Sequence, residues 1–177
     1  MDSRITKEMD EITQALDNID DYVIFGGFCS HLATGLETSA DIDIYVKNKE
    51  LLNKIKDQFK NKNWKIDFQS NNKNSEHNYV RLSKNNTTFD VHTSLLGTKI
   101  FLKQTKKIKY KKIYLNCLNT EALYITKLQT IIDTNRTSEK VLRDKQVIEV
   151  IKKDIDYIVL RKILLKLPKE FWTKGRF

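Results

Sequence analysis

The sequence predicts an α+β fold, with a strand-rich first part over residues 1–116 and a helical part over residues 117–177 packed against it. Three observations carry this. Apolar residues recur at helical spacing at the start and again after residue 120, segments of two-residue alternation fall between them, and only 5 Gly and 1 Pro interrupt the 177 residues. That length suits one domain, and an apolar fraction of 40% suffices for a core. The change near residues 116–120 therefore reads as a subdomain boundary within one folding unit, and no internal repeat divides the chain.

Taken in order, RITKEMDEITQALDNI sets Ile5, Met9, Ile12, Leu16 and Ile19 on one helical face. YVIFGG reads as a short buried strand ending in a glycine turn, and FCSHLATG leaves room for only a brief helix. DIDIYV then alternates strictly, with Asp41, Asp43 and Tyr45 on one face toward water and Ile42, Ile44 and Val46 on the other toward the core. KELLNKIKDQFKNK is a helix with Leu51, Leu52, Ile55 and Phe59 as its apolar stripe and Asn48 as its cap. WKIDF, HNYVRLS and TTFDVHTS are three further strands, separated by the Asn-rich surface loop NNKNSEHN and by KNN. TEALYITKLQTIID, SEKVLRDKQVIEVIKK and DIDYIVLRKILLKL form the helical part, with Thr120 and Ser138 as N-caps.

Between strands and helices lies KQTKKIKYKK, where Lys103, Lys106, Lys107, Lys109, Lys111 and Lys112 interleave with Ile108 and Tyr110. On a strand this makes a positive ribbon with two readings: a surface for nucleic acid or polyphosphate, or a solvated edge whose lysines block strand pairing. The net charge of +9 favours anionic partners, although Lys-rich and Asn-rich composition alone does not select one. Two cysteines, Cys29 and Cys117, exclude a disulfide scaffold and a four-thiolate zinc site, so a reducing, cytoplasmic setting is expected. No run approaches the roughly 18 apolar residues of a membrane span, and no secretory leader is apparent.

Asp41 and Asp43 project from the same face of one strand, and a cation would offset their repulsion. Hard carboxylate oxygens suit Mg²⁺ or Mn²⁺. Asp90 in TTFDVHT is the candidate third carboxylate, since Phe89 and Val91 face the core while Thr88, Asp90 and His92 face the other way. Ahead of them, Gly26 and Gly27 sit between a strand and a helix, where backbone N–H groups can approach a phosphate. Neither GxxxxGK[ST] nor GxGxxG occurs, which removes P-loop and Rossmann readings.

GGFCSHLATGLETSADIDIYV followed by TTFDVHT resembles the nucleotidyltransferase superfamily that includes DNA polymerase beta, over roughly residues 20–95. The helical tail is similar to that of small abortive-infection and antibiotic-modifying nucleotidyltransferases. The resemblance implies that Gly26 and Gly27 form the phosphate-facing turn and that Asp41, Asp43 and Asp90 hold the metal. It further implies a nucleoside triphosphate donor, ATP-like, and transfer of a nucleoside monophosphate group to a hydroxyl with release of pyrophosphate. Where the pattern often has Ser, this chain has Gly27, and Ser30 on the following helix is the compensating hydroxyl. Lys127 matches a lysine of the tail and is the candidate triphosphate contact, ahead of Arg136, Arg143 and Lys145.

His92 shares the face of Asp90 and is a candidate for orienting the acceptor or a phosphate, against a surface role. His31 beside Cys29 is assigned to packing or proximity to phosphate and not to zinc, Trp64 and Trp172 are assigned to packing, and FWTKGRF is either a docking tail or a frayed end. Two other classes compete: a noncatalytic RNA-binding module that keeps the fold, and a nuclease, against which the glycine turn argues. Within the transferase reading the acceptor is an RNA end, a protein hydroxyl or a small hydroxylated molecule, and positive charge leans toward RNA.

Overall fold

A computed structural model describes residues 6–36, 41–70, 78–93, 98–133, 135–169 and 171. Ile5, the loop residues 71–77 and the end of the chain from Trp172 lie outside them. The elements are α1 (Lys7–Leu16), β1 (Tyr22–Phe25), α2 (Gly26–Thr34), β2 (Asp41–Val46), α3 (Lys49–Lys60), β3 (Lys65–Ser70), β4 (Tyr79–Lys84), β5 (Thr87–His92), α4 (Thr98–Phe101), β6 (Thr105–Tyr110), β7 (Ile113–Leu118), α5 (Thr120–Ile132), α6 (Ser138–Ile151) and α7 (Tyr157–Leu164). The strands make one mixed sheet in the order β3-β4-β5-β2-β1-β7-β6. Only β1 with β7 and β2 with β5 pair in parallel. This is the expected α+β architecture, with flanking helices and a helical C-terminal part.

Local chemistry explains most boundaries. Thr6 caps α1 by accepting the Met9 N–H, Asn48 caps α3 through Leu51, and Asp156 caps α7 through Ile158 and Val159. Two expected caps are displaced by one residue. Asn119, not Thr120, caps α5 by accepting the Ala122 N–H, while α6 starts after Thr137 without any side-chain cap. Asn119 wins because its amide carbonyl reaches the N–H of the third residue ahead, the bond by which an N-cap side chain satisfies a free helix N–H. Strand β7 runs through Leu118, so the two residues after 116 belong to the sheet. Ile19 lies beyond the end of α1 yet remains buried.

The core face of β2 carries Ile42 and Ile44, and there α3 packs Phe59 on Phe89 at 5.0 Å between ring centroids. Trp64 closes the same cluster edge-on to Phe59. The opposite face is covered by α2 over β1 and β2, with α5 and α6 packed on α2. Tyr45 departs from the expected alternation: it shares the face of Asp41 and Asp43 but is fully buried, because Phe25 stacks on it at 3.9 Å. Toward the end of the described chain Phe171 is buried on Phe101, and its carbonyl accepts from Gln129. Cys29 and Cys117 are buried free thiols. No helix among the described residues is long and apolar enough to cross a membrane.

Candidate active site

Strand β2 places Asp41 and Asp43 two residues apart on the site face, and its parallel neighbour β5 sets Asp90 directly beside Asp43. The same register pairs Asp41 with Thr88 and Tyr45 with His92. Thr88 donates its hydroxyl to Asp41 at 2.7 Å. Asp43 has no hydrogen-bond donor among the described residues, and burial, then the charges of Asp90 and Asp41, push its pKa up to about 7. Its carboxylate, that of Asp90 and the His92 imidazole each offer a ligand atom, all within 4.8 Å of one another.

Gly26 begins α2 with φ +70, a left-handed conformation that favours glycine. A Cβ there would overlap Oδ2 of Asp43, so the missing side chain makes the room in which that carboxylate sits. The expected glycine turn is thus the first turn of the helix itself, whose leading N–H groups have no intrahelical acceptor. Ser30, the expected compensating hydroxyl, donates instead to the Gly26 carbonyl at 2.8 Å and secures that turn.

Asp90 is held from the neighbouring strand. Arg81 of β4 donates through Nε to Oδ1 at 2.8 Å and through Nη2 to Oδ2 at 2.6 Å, and the Tyr79 hydroxyl donates to Oδ1 at 3.0 Å. This bidentate pair raises the pKa of Arg81, and burial together with the Asp90 charge raises that of Tyr79. Neither residue was singled out from the sequence, yet the signal was present. The turn at Asn85 and Asn86 pairs Lys84 with Thr87, and counting back along both strands brings Arg81 opposite Asp90.

The other wall belongs to α5 and α6. A cavity of about 310 Å³ is lined by Gly26, Gly27, Ser30, Asp41, Asp43 and Asp90 on one side and by Lys127, Arg136, Lys140 and Arg143 on the other. All seven residues proposed for the site from the sequence meet here. Lys127 is buried and pairs with Asp144 at 2.7 Å, and Asp144 also accepts from Thr130 and forms an ion pair with Arg136. Lys140 was not foreseen. Lys145 is exposed and does not line the cavity, and His31 bonds the Leu36 carbonyl at the far end of α2. His92 stacks on Tyr79 at 4.6 Å, so it belongs to the site face and not to the outer surface.

The donor set fits a divalent cation. Crowded carboxylate oxygens bring hard ligands, and Asp43 lacks the cationic partner that Asp90 has in Arg81. Among the described residues Asp43, Asp90 and His92 form the cluster able to hold it, and Asp41, on the same face, lies outside that cluster.

No family model matches the sequence, and no curated protein matches it. Solved structures do match in fold. The lincosamide antibiotic adenylyltransferase LnuA, bound to lincomycin, aligns with TM-score 0.61 and 15% identity over 84% of this chain and 99% of its own. A Thermotoga maritima protein assigned as a nucleotidyltransferase aligns with TM-score 0.54 and 14% identity over 72% of this chain and 88% of its own. An antigenic nucleotidyltransferase-like protein of Paracoccidioides brasiliensis gives TM-score 0.50 and 14% identity over 80% and 72%.

Proposed function

Because the chain has the fold of the nucleotidyltransferase superfamily, we propose that it is a metal-dependent nucleotidyltransferase, passing a nucleoside monophosphate from a nucleoside triphosphate to a hydroxyl acceptor. The observation that carries this reading is the side-by-side placement of Asp43 and Asp90 on parallel strands, beside a helix start that lacks the Cβ which would fill their space. Asp41, Asp43 and Asp90 would hold a divalent ion, Mg²⁺ or Mn²⁺, which would neutralise triphosphate charge and lower the pKa of an acceptor hydroxyl.

The chain's own groups do the rest. The leading N–H groups of α2 at Gly26 and Gly27 face phosphate oxygens, and Lys127, Arg136, Lys140 and Arg143 balance the charge of the departing pyrophosphate. Asp90, oriented by Arg81 and Tyr79, receives the acceptor proton. The acceptor oxygen forms its bond to the α-phosphorus as the bond from that phosphorus to the bridging oxygen breaks, and pyrophosphate leaves with the electron pair. The acceptor is a small hydroxylated molecule, as the lincosamide is for the adenylyltransferase of like fold, or an RNA end.

The test is calorimetric titration with ATP, GTP, CTP and UTP, with and without Mg²⁺, on wild type and on D41A/D43A. Metal-dependent binding in wild type that the double variant loses is expected, and release of pyrophosphate once an acceptor is supplied. A folded wild type that binds none of the four in the presence of Mg²⁺ overturns the reading. The Arg81 clamp on Asp90 favours one alternative, a noncatalytic RNA-binding module, and RNA binding without nucleotide binding is the outcome that would establish it.

A further inference from the structure

The side of the carboxylates away from the cationic helices is the part of the sheet formed by β5, β4 and β3. In β3 the register shifts between Ile66 and Phe68: Ile66 pairs with Leu82 on the core face, but Phe68 pairs with Arg81. Regular pairing would have set Phe68 opposite Val80, among core residues. The bulge instead delivers Phe68 to the face of Arg81 and Asp90, where it is 54% exposed. Bulges re-aim side chains beside active sites.

Phe68 does not stand alone there. Its ring lies 5.6 Å from that of Tyr79, Tyr79 stacks on His92 at 4.6 Å with 19° between planes, and His92 meets Phe25 edge-on at 5.6 Å. A continuous aromatic row thus runs from the edge strand to the carboxylates, and its second ring bonds Asp90 directly through the Tyr79 hydroxyl.

We propose that Phe68 and Tyr79 form the acceptor platform, on which the terminal base of a single-stranded RNA stacks with its ribose hydroxyl beside Asp90. This rests on the transferase reading above. The face argues for a polymer end over a small molecule, because small ligands are taken into concave pockets that cover most of their surface, whereas this row ends in an exposed ring at a sheet edge where a chain can continue. Two cations lie on this face, Arg81 paired with Asp90 and 46% exposed in its side chain, and Lys65, opposite Ser83, paired with Asp67 at 3.5 Å and 81% exposed. Aromatic rings beside cations are the sequence-tolerant way to hold single strands. The donor is placed on the other side of the carboxylates, where Lys127, Lys140 and Arg143 of α5 and α6 and Arg136 between them line the cavity.

The experiment compares wild type, F68A and F68W. Fluorescence anisotropy of a labelled single-stranded oligoribonucleotide reads the acceptor platform, and calorimetry of the nucleoside triphosphate with Mg²⁺ reads the donor site. Phe68 is on an edge strand and exposed, so F68A is expected to fold. Loss of oligoribonucleotide affinity by about tenfold in F68A, recovery in F68W and unchanged donor binding in both support the proposal. Oligoribonucleotide affinity that ignores F68A, an effect of F68A on the donor instead, or a wild type that binds donor but no oligoribonucleotide each overturns it. Failure of the transferase reading is read separately, as absence of donor binding in wild type.

Discussion

At the scale of the residue, Gly26 and Asp43 form a single unit. Alanine at 26 would bear a left-handed φ, costing about 1–2 kcal/mol, and would in addition drive its Cβ into Oδ2 of Asp43. A double-mutant cycle separates these costs: in a D43A background G26A is expected to retain only the backbone penalty, while alone it costs more and abolishes metal-dependent nucleotide binding. Asp43 also predicts a pH dependence. Its carboxyl is raised from 3.8 to about 7 in the fold, so between those values the folded state holds a proton that the unfolded state releases. Stability of the metal-free protein therefore falls as pH rises through this window, by up to about 1.4 kcal/mol per unit, and levels off above it. Thermal melts of wild type and D43N across the window provide the check. D43N is expected to lack this component and to be the more stable of the two at pH 8 without metal, and adding Mg²⁺ is expected to raise the melting temperature of wild type only.

At the scale of the element, α5 and α6 are tied by one buried carboxylate. Asp144 accepts from Lys127 and Thr130 and forms an ion pair with Arg136, so it fixes the wall that faces the carboxylates as well as the helix pair. Removing it strands the buried Lys127 charge, and D144A is expected to lose about 3–5 kcal/mol in denaturant unfolding. K127A leaves Asp144 with two partners and should cost less while weakening nucleotide binding more. Such coupling between helices was not legible in the sequence, since Lys127 and Asp144 are distant along the chain and nothing in their spacing joins them. What was legible follows local rules. The alternation of DIDIYV and TTFDVHT fixed which aspartates share a face, and YVIFGG fixed where a helix begins beside them. The alternation misled at Tyr45, where a ring from the preceding strand, Phe25, covers a position that period alone assigns to water. The bulge at 66–68 was hidden for the same reason, because register depends on the partner strand.

At the scale of the whole molecule, the question is what the lysine-rich strand does. The sheet order puts β6 at one edge and β3 at the other, so Lys107 and Lys109, both exposed on β6, stand six strand spacings from Phe68. At about 4.8 Å per spacing that is roughly 29 Å, more than a few stacked nucleotides reach. An acceptor seated beside Asp90 thus cannot touch the ribbon unless it is long. The physical need that β6 does have is at its own free edge, whose unpaired N–H and C=O groups invite pairing with another chain, and charged lysines suppress that. K107V/K109V is therefore expected to associate with rising concentration in sedimentation runs where wild type does not. The salt dependence of binding to a short oligoribonucleotide should remain that of wild type. If the slope of log affinity against log salt instead falls by about 0.7 for each lysine removed, those lysines contact phosphate, and the ribbon is part of the acceptor track after all.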